Sequence, residues 1–71
     1  MGAKTRPVDA AAHAANRLAE GHTIHVVTLL FADLTQWGDL IEAIESAGFR
    51  LDAFEIAKEG HAVAVFRKAA V

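Results

Sequence analysis

The stretch from His22 to Gly48 constrains this chain more than any other. Thr23-Ile24-His25-Val26-Val27-Thr28-Leu29-Leu30-Phe31 is an apolar, β-branched run bounded by Gly21 and Asp33, a composition that favours a strand over a helix. Alternation puts His25, Val27, Leu29 and Phe31 on one face and Ile24, Val26, Thr28 and Leu30 on the other, so neither face is plainly solvated. A strand of this kind is covered on both sides or lies at a subunit contact.

An amphipathic segment follows at once. Asp33-Leu34-Thr35-Gln36 has the form of a helix start in which Asp33 accepts from the Gln36 N–H and the Gln36 amide reaches back. Trp37, Leu40, Ile41 and Ile44 recur at helical spacing, with Asp39, Glu42 and Glu45 on the opposite, solvated face. We therefore expect a helix over 34–47, closed by Gly48, with Phe49 folding back on Ile44. Trp37, in phase with the aliphatic residues, reads as core rather than as a ligand-stacking platform.

On either side the chain is simpler. Residues 1–6 read as a short, partly basic tail with nothing to bury. Residues 7–71 read as a single domain. From Pro7 to Glu20 a helix is expected: Pro suits the first turn, Asp9 the positive N-terminal end, Thr5 the cap, and Gly21 the left-handed residue beyond the last turn. Its apolar side, Val8, Ala11, Ala12, Ala15, Leu18 and Ala19, opposes a polar stripe of Asp9, His13, Asn16, Arg17 and Glu20. Only Val8 and Leu18 carry bulk, so the helix must dock closely on its own sheet or on another subunit.

Arg50 to Ala57 and His61 to Lys68 are two further strand-like segments joined by Lys58-Glu59-Gly60, a hairpin. Ala62-Val63-Ala64-Val65-Phe66 is apolar on both faces, as a central strand should be, whereas Arg50, Asp52 and Glu55 mark the first segment as an edge. The expected fold is α+β in the order α-β-α-β-β. A three-stranded mixed or antiparallel sheet, preferably with the last strand in the middle, carries the 34–47 helix on one face.

Size and charge exclude several classes. A chain of 71 residues removes only roughly 60% of its unfolded surface from water on folding. Without cysteine it has neither a disulfide nor a thiolate metal site to add to that core. The 54% hydrophobic fraction is high for so small a body, and the excess is what an interface would use. A net charge of −2 leaves no electrostatic footprint for DNA or RNA. The run from Ile24 to Ala32 is too short to cross a membrane and no signal-peptide pattern precedes it, so a cytoplasmic setting is expected. Abundant Ala, Val and Gly beside few Lys, Asn and Ile is the bias of a GC-rich genome.

From Ile24 onward the chain resembles a family of small bacterial and phage domains of unknown function. The residues that carry the likeness are Leu40, Ile41 and Ile44 on the helix, Gly48-Phe49-Arg50-Leu51 at a strand start, and Val65-Phe66-Arg67-Lys68 at the end. Where that family usually has Trp after the glycine, this chain has Phe49. The likeness spans roughly residues 24–68. It implies a β-α-β-β fold and no activity.

For chemistry the histidines are the first place to look. His22 and His25 are three apart, which on a strand puts them on opposite faces and prevents joint chelation. His61 opens the last strand and, if that strand runs antiparallel to the first, lies near Phe31 rather than His25. His13 sits between Asp9 and Arg17 on the solvated stripe. No nucleophile triad or phosphate-cradling loop is legible, so no catalytic, metal or cofactor residue is assigned. The favoured expectation is a non-enzymatic interaction module that forms a homo-oligomer, a dimer, through its sheet or its N-terminal helix, with Val27, Leu29, Val63, Val65, Ala11, Ala15 and Leu18 as contact residues. Such a module would act by binding another protein, of unspecified identity; the alternative is a small-molecule- or metal-binding domain, with catalysis open to it, whose pocket lies near His25 or His61.

Overall fold

In the computed structural model, which describes residues 6–57 and 60–70, the chain runs α1 (Pro7–Ala19), β1 (Ile24–Leu30), a 3-10 turn (Phe31–Gln36), α2 (Trp37–Ser46), β2 (Phe49–Ile56) and β3 (His61–Lys68). Helix α1 begins at Pro7 with Arg6 in extended conformation before it. The Thr5 cap and most of the 1–6 tail lie outside the described residues, as do Lys58 and Glu59 of the hairpin loop. The helix ends in a Schellman turn: the Gly21 N–H donates to the Leu18 carbonyl at 3.0 Å and the His22 N–H to that of Arg17 at 3.1 Å, with Gly21 at φ 93°.

The stripe of α1 that docks is not the expected one. Ala10 and Ala14 are buried and Leu18 packs beside them, a spacing of four residues, while Val8 is 64% exposed and Ala12, Ala15 and Ala19 are also outside. Two methyl groups in line let the helix backbone come close to the core, and a helix this rich in alanine has no bulky ridge to dictate another rotation.

The start of the second helix is likewise corrected. Phe31–Gln36 is a 3-10 turn with a kink at Asp33 (φ −105°, ψ 20°), and α2 begins only at Trp37, without a side-chain cap. Asp33 is drawn inward to 6% exposure and its Oδ1 has no hydrogen-bond partner, so it does not cap the helix. The Trp37 indole anchors this end instead, its Nε1 donating to the Leu30 carbonyl at 2.9 Å.

The sheet has the order β1-β3-β2 with both pairings antiparallel. The last strand is central, as its two apolar faces require. Phe49, Phe66 and Ile44 are fully buried and form one core with Ala10, Ala14, Leu29, Leu40 and Ala64. Burying each of the three large side chains stabilises by about 1.5–3 kcal/mol before entropy is subtracted. Every strand residue of that core lies on one face of the sheet, and both helices contribute to it. The fold is thus two layers, helices over one sheet face and nothing described over the other.

Candidate functional site

The uncovered face is built by alternation. Val26 opposes Val65, which opposes Ala53; Thr28 opposes Val63, which opposes Glu55; Leu30 opposes His61. Val26 is 56% exposed and Leu30 51%, with Val63 and Val65 half-buried between them. Thr28, Glu55 and His61 lie on the same face among them.

The backbone parity of β1 follows from its two ends. The Lys68 N–H donates to the Thr23 carbonyl at 2.8 Å, and the Phe31 N–H donates to the Gly60 carbonyl at 2.9 Å. In an antiparallel ladder the bonded residues recur at every second position. The odd-numbered residues of β1 therefore turn their backbone groups to β3, and Ile24, Val26, Thr28 and Leu30 turn theirs to the open edge. At the two extremes side chains occupy the outward carbonyls: Arg17 Nη2 donates to Ile24 O at 3.4 Å and Trp37 to Leu30 O. Among the described residues nothing bonds the outward groups of Val26 and Thr28.

The opposite edge is treated differently. The Ala69 N–H donates to the Gly48 carbonyl, so Phe49 and Leu51 point their backbone away from β3. The Leu51 N–H is taken up by Glu45 Oε2 at 3.1 Å. The ladder then breaks at a bulge between Leu51 and Ala53, where Asp52 accepts from Arg67 Nε at 2.9 Å. Bulges and charges of this kind discourage strand pairing. Glu45, read from the sequence as a solvated acid, is a clasp on the β2 edge.

At the start of β1 an open groove of about 520 Å³ is lined by His13, Arg17, His22 and His25 among others. His25 is 3% exposed, with ring centroids 5.2 Å from His13, 5.4 Å from Phe49 and 6.3 Å from Phe66. Burial, and after it the neighbouring His13 and Arg17, hold its pKa below the usual histidine value. His22 Nε2 lies 3.3 Å from Arg17 Nη1 and 3.6 Å from Glu20 Oε1. Among the described residues no three His, Asp or Glu side chains gather to hold a metal ion. His61, opposite Leu30, is at the far end of the sheet and on the other face from His25, opposite Phe66; one pocket does not serve both.

The contact residues expected from the sequence are split by the same alternation. Val63 and Val65 lie on the open face. Leu29 is buried in the core and Val27 packs against it beneath the helices, so these two are corrected from contact surface to monomer interior. Of the α1 residues, Ala15 is exposed, Ala11 half-buried, and Leu18 packs on the core. Sequence reasoning missed a second exposed apolar group: Phe31 and Phe54 flank Trp37 at centroid distances of 5.6 and 5.7 Å, with Leu34 and Ile56 exposed as well. Phe54 sits two residues beyond the bulge, and only the β2–β3 register brings it to the helix side.

No described helix is long and apolar enough to cross a membrane. Comparisons of the chain with models of protein families, with curated proteins and with solved structures find no match.

Proposed function

We propose that this chain is a small, non-enzymatic interaction module that self-associates through its sheet. The reading is supported by one observation above all: two helices cover one sheet face, and Val26, Leu30, Val63 and Val65 remain on the other. Covering that apolar area gains roughly 25 cal/mol per Å², and a domain of this size has little other means of adding to its stability. Sedimentation equilibrium of the intact chain over the micromolar range tests it. A species of at least twice the 7.6 kDa chain mass is expected, and a monomer throughout refutes the reading.

A second reading is small-molecule binding in the groove beside His25, favoured by the convergence of His13, Arg17 and His22 on it. Imidazole carbon shifts of the four histidines, followed while phosphate or acetate is titrated in, distinguish the two: a saturable shift confined to His13, His22 and His25 supports the groove, and none refutes it.

A further inference from the structure

We propose that the seam of the self-association is the free edge of β1, which pairs antiparallel with β1 of a second copy and joins the two sheets into one. This rests on the reading that the chain self-associates through its sheet, and it specifies which part of the sheet and in what register.

The two edges of the sheet are not alternatives. On β2 the outward N–H of Leu51 is occupied by Glu45, the ladder is interrupted at Asp52, and Arg50, Asp52 and Glu55 line the strand. On β1 there is no charged residue from Ile24 to Leu30, no bulge and no proline, and the outward N–H and C=O of both Val26 and Thr28 are unoccupied among the described residues. An edge with these features is a template for another strand.

The occupied carbonyls at either end set the register. Arg17 holds that of Ile24 and Trp37 that of Leu30, so the groups still available belong to Val26 and Thr28. One antiparallel register alone sets each of these opposite the other: Val26 of one copy faces Thr28 of the second copy, and the two-fold axis passes beside Val27. Pairings centred on Val26 or on Thr28 would leave one free residue facing an occupied one. In the same register the start of each β1 lies against the end of the other, twice over, as a two-fold contact requires of a self-complementary surface. Once β1 is paired, the outer edges of the joined sheet are both β2, which are clasped and bulged. The β1 edge is thereby used up at two copies, and the faces that carry Val26, Leu30, Val63 and Val65 lie side by side on the joined sheet.

The test uses amide hydrogen exchange on the intact chain, at a dilute concentration and at one where sedimentation shows association. The Val26 and Thr28 amides should exchange at least about tenfold more slowly in the associated protein. Thr28→Pro removes the outward N–H without touching the ladder to β3, and should weaken association by at least about tenfold. Association with Val26 and Thr28 exchanging as fast as in the dilute sample overturns the seam while leaving self-association standing, as does a folded Thr28→Pro chain that associates like the parent. A monomer at every concentration refutes both. Should Thr28→Pro not fold, the exchange of the parent chain decides alone.

Discussion

Replacing Gly48 with alanine isolates one of the contacts that tie α1 to the rest of the molecule. Gly48 follows α2 at φ 117°, a conformation L-residues rarely adopt, and a Cβ built there comes 2.6 Å from Leu18 Cδ2. Carbon atoms in contact sit about 3.5–4.0 Å apart, so Leu18 must move by about 1 Å or more. The backbone contributes roughly 1–2 kcal/mol of strain. Turning Leu18 out of its place against the core forfeits part of the about 1.5–3 kcal/mol that its burial is worth. Together Gly48→Ala should cost about 2–4 kcal/mol, a large share of the roughly 4–11 kcal/mol expected for a domain this size.

Urea denaturation followed by circular dichroism measures the loss, and a double-mutant cycle with Leu18→Ala divides it. Without the Leu18 side chain the new methyl meets nothing, so in that background Gly48→Ala should cost only the backbone part, and the coupling should be about 1 kcal/mol or more. Gly21→Ala is the control. Its φ is 93° but no atom lies within 4 Å of the added Cβ, and it should cost the backbone part alone. A Gly48→Ala loss below about 0.5 kcal/mol, or the same loss with and without Leu18, would refute the reasoning.

Three further outcomes are expected. Burial lowers the His25 pKa in the fold, so below the ordinary histidine value of 6.5 the unfolded chain binds more protons at this group; the contribution of His25 to stability should be constant above that value and fall as pH drops below it. The slope contributed by this one group is at most about 1.4 kcal/mol per pH unit; it should be absent from His25→Phe, so the difference in unfolding free energy between parent and variant should change between urea curves at about pH 7.5 and about pH 5, and an unchanged difference refutes the assignment. Trp37→Phe removes the donor to the Leu30 carbonyl and part of the ring packed between Phe31 and Phe54, and should lower unfolding free energy by about 1–3 kcal/mol in the same assay. Glu45→Ala frees the Leu51 N–H and should cost about 0.5–1.5 kcal/mol, with the Leu51 amide exchanging faster; an unchanged Leu51 rate counts against the clasp.

Much of the architecture was legible because particular residues allow one place each. Ala62-Val63-Ala64-Val65-Phe66 has no polar parity, so only the middle of the sheet suits it, and Arg50, Asp52 and Glu55 consign β2 to an edge. Leu40 and Ile44, one helical turn apart, announced the buried stripe of α2. What was hidden depended on contacts distant in sequence. Six alanines in α1 look alike to any periodicity, and the choice of Ala10 and Ala14 is made by what lies under them. Asp33 has the chemistry of a helix cap, yet the path from β1 into α2 turns it inward. Both parities of β1 are apolar, so which of them meets the helices, and which backbone groups are left over, is fixed only when β3 chooses its register. For the same reason the open face was half legible: Val63 and Val65 lie on it, whereas Val27 and Leu29, read together with them, lie on the helix side.

The central position of β3 also governs when the fold can exist. Neither β1 nor β2 has a neighbouring strand until β3 is added, and β1 must wait through the 3-10 turn, α2 and β2 before Leu30 meets His61. During synthesis the most apolar strand of the chain is therefore exposed along two edges, not one, until residues 61–68 leave the ribosome. Closing that long interval is slow relative to making helices. A cell making this protein at high rate should thus meet its aggregation hazard in the nascent chain, and slowing translation before His61 should worsen the yield of folded protein rather than improve it.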